Sequence, residues 1–231
     1  MKIGIIGAME EEVSELKASL KDAKVTTIAR MEFCEGTFGT TDVVVVQSGI
    51  GKVNAAACAQ ILINHFGVTH VMNTGVAGSL NAKIDIGDIV VSTDAMYHDV
   101  DATVFGYAKG EVPQIGTASF QADEMLRKAA VDAVKNAASD IHVYEGRVVS
   151  GDQFISSRDV KNNIRDTFHG DCTEMEGAAI AQVAYINDVP FVIIRAISDK
   201  ADDSAVMDYP AFEKKAVEHS VRLIEALMEE L

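Results

Sequence analysis

Short β-branched runs alternate along this chain with stretches in which apolar residues recur every third or fourth position, the periods of buried strands and amphipathic helices. Ile3-Gly4-Ile5-Ile6-Gly7 reads as a buried first strand, and Val13, Leu16 and Leu20 mark one face of the helix after it. Between residues 24 and 47, three short β-rich runs, broken at Arg30, Gly36 and Thr40-Thr41-Asp42, lead as antiparallel strands to Val43-Val44-Val45-Val46. A helix follows and runs to His65-Phe66-Gly67. His70-Val71-Met72 is a strand ending in a small-residue turn, Asn73 to Ser79, and Asp88 to Ser92 is another strand. A helix over roughly 122 to 138 turns Leu126, Ala130, Ala133 and Val134 inward and precedes a strand from Ile141 to Val149. Ser157 is placed to cap a helix striped by Val160, Ile164 and Phe168.

The pattern is densest between 171 and 203. A polar turn carries Glu174, Met175 and Glu176, and Ala179, Ile180, Val183, Ala184 and Ile186 then keep helical spacing. Asn187-Asp188, with Pro190 two residues on, ends that helix. Phe191-Val192-Ile193-Ile194 is apolar on both faces and runs into Arg195 and Ser198-Asp199-Lys200. Asp208 and Pro210 start a last helix with Phe212, Ala216, Ser220, Leu223, Leu227 and Leu231 inward. With no repeats or linkers, this alternation predicts one α/β domain over residues 1–231, three layers (αβα) around a central mixed, mostly parallel sheet.

Composition narrows the partners. The formal net charge is −15, so the basic footprint of a nucleic-acid binder is missing. No apolar run reaches membrane-spanning length, and no basic-then-apolar leader precedes the first strand. Cys34, Cys58 and Cys172 form an odd set without C-x-x-C spacing, as buried reduced thiols would. A cytoplasmic protein is expected.

Charges at the end of a buried strand are costly unless paired or used, and ligands of open α/β sheets sit beyond the carboxyl ends of strands. Asp199 and Arg195 are therefore the first functional candidates, and Glu176 the next. Of Glu10, Glu11 and Glu12, which point about 100° apart on a helix, one at most can face a pocket. Ser48-Gly49-Ile50-Gly51-Lys52 lacks both phosphate-loop fingerprints, so its glycines suit the close approach of an uncharged ligand. His98, Asp99 and Asp101 make an incomplete metal set, and neither a metal nor a cofactor is expected. Exposed aromatics between Tyr97 and Pro113 suit a lid or a subunit contact, which favours a homodimer. The strand ends together offer carboxylates, backbone amides and the apolar Met9, Ile50, Phe154 and Met175. An aromatic and an acid suit a heterocyclic base, a second carboxylate a sugar diol, and methionines a soft tail. Carboxylates on both sides of a substrate are what glycosidic cleavage needs.

GIIGAMEEEV, SGIGKVNAA, NTGVAGSL, YHDVDATVFGY, GDQFI, EMEGAAIA and RAISDKAD, in this order, resemble the 5′-methylthioadenosine/S-adenosylhomocysteine nucleosidase family of the nucleoside phosphorylase superfamily. The resemblance spans essentially the whole chain. It implies hydrolysis of the adenine–ribose bond of a small nucleoside, with Asp199 as the acid at adenine N7 and Glu12 activating the water. Met175 and Glu176 would grip the ribose, with Arg195 orienting the carboxylates. Phe154 would stack on adenine while the Ile155 backbone reads its edge, and Ala77 and Gly78 would offer backbone groups. Met9, Ile50 and Tyr209 would border the 5′-thio pocket, with Phe105 and Pro113 reaching in from a second subunit. Val76 stands where relatives often carry serine, and Tyr209 where phenylalanine is expected. A phosphorylase would need a basic first turn in place of the three glutamates. An aminofutalosine-type substrate would fit the same residues, and a nucleoside-binding module without catalysis is the rival from another class.

Overall fold

The computed structural model describes residues 1–137 and 141–230. The strands are β1 (Lys2–Gly7), β2 (Lys21–Ile28), β3 (Met31–Phe38), β4 (Thr41–Gln47), β5 (His70–Ser79), β6 (Ile89–Tyr97), β7 (Phe120–Gln121), β8 (Val143–Ser150), β9 (Cys172–Glu174) and β10 (Phe191–Asp199). The helices are α1 (Ser14–Ala18), α2 (Lys52–Phe66), α3 (Glu124–Ala137), α4 (Arg158–Phe168), α5 (Gly177–Ile186) and α6 (Ala205–Glu230).

All ten strands join one mixed sheet in the order β10-β6-β8-β9-β5-β1-β4-β3-β2, with β7 on β6. The long central pairings, β1 with β4 and β5, β5 with β10 and β6 with β8, are parallel. Antiparallel pairing is confined to the β2–β3–β4 meander and to short contacts at β6, β7 and β9. β10 pairs with both β5 and β6, so the sheet curls into a ring β10-β6-β8-β9-β5.

Strand period two divides the core between two helical layers. Val44, Val46, Phe191 and Ile193 face α2 and α5, while Val43, Val45, Val192 and Ile194 face α3 and α6. Each such side chain contributes about 1.5–3 kcal/mol on full burial, so these central strands have no solvent face to present. This is the expected three-layer, mostly parallel α/β architecture. A smaller cluster under the ring, with Ile155, Ile164, Phe168 and Ala201, ties α4 to the loops beyond β8 and β10.

Several local expectations change. Gly36 does not break a strand but lies inside β3, where a Cβ would come 2.7 Å from the Lys21 carbonyl across a bulge in β2. The first helix is a 3₁₀ turn, Glu10–Glu12, followed by the short α1, and Leu20 is half-buried. Residues 73–79 are strand rather than turn, and β10 runs through Arg195 to Asp199, because both segments are hydrogen-bonded to each other in parallel register. β8 begins at Val143, two residues late. Ser157 does cap α4, but through its backbone, without a side-chain hydrogen bond, and Val160 is exposed. Ile186 at the end of α5 is exposed as well. The last helix starts at Ala205, which leaves Pro210 inside it and Phe212 partly exposed. The expected helix end at 138 and Leu231 lie outside the described residues.

Candidate active site

One cavity of about 480 Å³ opens where β1, β4, β5, β8, β9 and β10 come to their carboxyl ends. Twelve expected site residues line it: Met9, Glu12, Ile50, Ala77, Gly78, Phe154, Ile155, Met175, Glu176, Arg195, Asp199 and Tyr209. Phe105 and Pro113 do not. They are exposed on a separate loop, with Val104 beside them and Phe105 at 81% exposure.

The 3₁₀ turn after β1 turns Glu12 inward and leaves Glu10 and Glu11 in solvent. Glu12 Oε2 accepts from the Ala8 and Met9 N–H groups (2.7 and 3.0 Å), and Oε1 accepts from Val76 N–H at 3.1 Å. Burial pushes its pKa up, against the Arg195 charge and these three amides. The result is a stronger base than a surface glutamate.

Asp199, at the end of β10, is 2% exposed. Its Oδ1 accepts from Ala201 N–H at 2.7 Å and its Oδ2 from the Ser198 hydroxyl at 2.9 Å. Burial raises its pKa, and the Asp208 and Asp202 carboxylates add to the shift against those two hydrogen bonds. A carboxyl so placed keeps its proton to higher pH. Asp199 pairs with Gly78 on β5, two residues beyond the Val76 amide that holds Glu12. At about 3.3 Å per residue, the two attachment points lie roughly 7 Å apart along one strand.

Arg195 is the one cation among the described residues lining this cavity. It is 1% exposed and donates to Glu174 and to Asn73 Oδ1, with Glu176 Oε2 at 3.7 Å from its Nη2. Burial opposes its charge, but Glu174, Glu176 and Glu12 outweigh that and raise its pKa. Glu176 accepts from Gly51 N–H at 2.8 Å, which pins the glycine turn after β4. Burial first and Glu174 next push its pKa up to about 7.

Three contributors were not assigned a role from the sequence. Glu174 anchors Arg195, accepts the Ser150 hydroxyl, and accepts the N–H groups of Glu176 and Gly177 at 3.1 and 2.7 Å, so it fixes the entry to α5. Its position two residues before Glu176 in the polar turn was the available signal. Gly75 carried a signal only as part of the small-residue turn, and Asn73 gave none. A Cβ on Gly75 would land on both Glu12 Oε1 and Arg195 Nη1, and one on Gly78 would come 2.8 Å from Asp199 Oδ1. Bare backbone is what lets the charged groups close around β5.

The two carboxylates of the weighed metal set have other partners. Asp99 accepts from Lys52 Nζ at 2.6 Å and from Asp152 N–H, and Asp101 accepts from Thr103. Among the described residues no group of three or more His, Cys, Asp or Glu is placed to hold a metal ion. Cys172, beside Glu174, is fully buried, which pushes its thiol pKa up and suits an inert core residue. No helix among the described residues is long and apolar enough to cross a membrane.

A mixed α/β sheet with a carboxylate-lined pocket at its strand ends suits an enzyme, and the family model described as "Phosphorylase superfamily" matches residues 2–229, so the chain belongs to that superfamily. It is 44% identical to the 5′-methylthioadenosine/S-adenosylhomocysteine nucleosidase of Staphylococcus aureus (strain MRSA252), over 99% of this chain and 100% of that protein. The crystal structure of the nucleosidase of that name from Colwellia psychrerythraea 34H, in complex with adenine, superposes with a TM-score of 0.96 at 41% identity, covering 100% and 96% of the two chains. A futalosine hydrolase of Helicobacter pylori superposes at 0.94 with 33% identity, covering 100% and 98%. Within the superfamily, the chain falls with the 5′-methylthioadenosine/S-adenosylhomocysteine nucleosidases.

Proposed function

We propose that this protein is an N-glycosyl hydrolase that cleaves 5′-methylthioadenosine and S-adenosylhomocysteine to adenine and the thioribose sugar, residues 1–231 acting as one domain. The observation that carries the reading is the pair of buried carboxyls in one cavity, Glu12 held by the Val76 amide of β5 and Asp199 on β10 paired with Gly78 two residues further along β5. The C1′–N9 bond breaks with its electron pair going to adenine, and Asp199 gives its proton to N7. C1′ becomes cation-like and is stabilised by the Glu12 carboxylate. Water then attacks C1′ and hands a proton to Glu12. Glu176 with Met175 holds the ribose, Phe154 and the Ile155 backbone hold adenine, and the 5′-thio group lies by Met9, Ile50 and Tyr209. Ala77 and Gly78 offer backbone groups, and Arg195 keeps the acidic groups in place.

Water rather than phosphate is the nucleophile because the one cation among the described lining residues is already shared by Glu174 and Glu176. A phosphate charge about 4 Å from a carboxylate would cost roughly 4 kcal/mol per charge pair at an effective dielectric of 20. The test is to incubate the protein with 5′-methylthioadenosine with and without phosphate. Free adenine and free sugar are expected in both; no adenine, or a sugar phosphate, refutes the reading. Aminofutalosine is a second substrate worth testing, since the Helicobacter pylori relative at 33% identity is a futalosine hydrolase.

These products suit methionine salvage and removal of S-adenosylhomocysteine in the cytoplasm. The exposed Val104 and Phe105 support a homodimer in which Phe105 and Pro113 complete the neighbouring site. A monomer with full activity on a sizing column would refute that.

A further inference from the structure

We propose that the Tyr209 hydroxyl, aimed by Glu213, is a specificity element at the 5′ end of the cavity that favours thioethers ending in a hydrogen-bond donor, above all an ammonium, over plain alkyl thioethers. This rests on the nucleosidase reading of the same cavity. The ring of Tyr209 meets Phe154 edge-on, with centroids 5.7 Å apart and planes at 81°, and its oxygen lies 3.5 Å from Met9 Sδ. A phenol has one hydrogen to give. Glu213 Oε1 stands 2.7 Å from that oxygen, and a charge-assisted bond at this distance takes the hydrogen in preference to a sulfur at 3.5 Å. Lone pairs are then what the oxygen turns toward Met9 and the cavity.

The arrangement is fixed by the fold. Tyr209 and Glu213 are four apart on α6, where side chains are neighbours. The phenol also holds its proton, since burial and the Glu213, Glu12 and Asp199 carboxylates push its pKa up. A methylthio group has no donor for this oxygen. The amino-acid tail of S-adenosylhomocysteine has an ammonium, which can reach the phenol oxygen with the Glu213 charge behind it while the tail carboxylate turns to solvent. Phenylalanine at 209 would treat the two tails alike.

The test is kcat/KM for S-adenosylhomocysteine and for 5′-methylthioadenosine on wild type, Tyr209→Phe and Glu213→Gln. The ratio of the first to the second is expected to fall about five- to tenfold in Tyr209→Phe and about threefold in Glu213→Gln, the scale of one charge-assisted hydrogen bond at a half-buried site. Glu213→Gln keeps an acceptor for the phenol and so isolates the charge; should it fail to fold, Tyr209→Phe decides alone. A ratio that stays within twofold of wild type, or an equal loss on both substrates, overturns the inference. Adenine release from neither substrate by the wild type overturns the nucleosidase reading itself, and this inference with it.

Discussion

Replacing Asp199 with asparagine removes a proton and little else. The amide oxygen still accepts from Ala201 N–H, 2.7 Å from Oδ1, and the Ser198 hydroxyl, 2.9 Å from Oδ2, can rotate to accept from the new NH₂. Volume is unchanged, so the fold and the cavity should survive. A positioned acid contributes about 10²- to 10⁴-fold, or roughly 3 to 5.5 kcal/mol at about 1.4 kcal/mol per decade. Asp199 is 2% exposed, so solvent acid has poor access to substitute, and a kcat loss of about 10³-fold is expected. Adenine release reports turnover, and calorimetry should find the affinity for 5′-methylthioadenosine within about threefold of wild type. A 4-nitrophenyl thioriboside needs no protonation to leave, so the variant should hydrolyse it at close to the wild-type rate. In wild type the alkaline limb of activity should fall as pH rises through the raised Asp199 pKa, and the variant should lose that limb. A kcat within tenfold of wild type on the nucleoside, or an equal loss on the nitrophenyl substrate, would refute the assignment.

Glu176→Gln should abolish most turnover yet stabilise the fold as pH rises. The folded-state pKa of Glu176 is raised from 4.5 to about 7, so its favourable contribution is complete below pH 4.5 and lost as pH climbs through about 7. Glutamine mimics the protonated form, and the melting-temperature gain should therefore be larger at pH 8 than at pH 5; a gain that shrinks with pH contradicts the sign. Arg195→Met leaves Glu174, Glu176 and Glu12 without their shared cation, at a cost of about 3–5 kcal/mol measured by urea unfolding. Gly75→Ala forces a methyl onto Glu12 and Arg195, and kcat should fall by at least about tenfold. Wild-type kcat for that variant would show that the close packing around β5 is dispensable.

The main-chain course was legible where the pattern was local. Val43–Val46 and Phe191–Ile194 could only be doubly buried strands, and the stripe of α6 from Ala216 to Leu227 could only face inward. Errors fell where polar residues sit inside strands. Residues 73–79 and 195–199 looked like turns because burying Asn73, Arg195 and Asp199 carries a desolvation cost. Arg195 and Asn73 meet that cost with each other and with Glu174, groups up to 122 residues apart in the chain, and Asp199 meets it with the Ala201 amide and the Ser198 hydroxyl. Pro210 likewise looked like a helix start, but α6 takes it into its second turn, with the exposed Val206 one turn earlier.

The sequence by itself determined the layers, the elements and which acidic residues had chemistry to offer, because hydrophobic period and residue type are properties of short segments. By residue pattern it left Glu10, Glu11 and Glu12 as alternatives, of which only the family resemblance pointed to Glu12. The tertiary structure supplies the physical reason, by bringing the Ala8, Met9 and Val76 amides to that carboxylate and Gly78 to Asp199. The raised pKa values of Glu12, Glu176 and Asp199 belong to that level too. Burial and charge proximity depend on which strands lie side by side, and pairings between distant segments such as β5 and β10 leave no local trace in the chain.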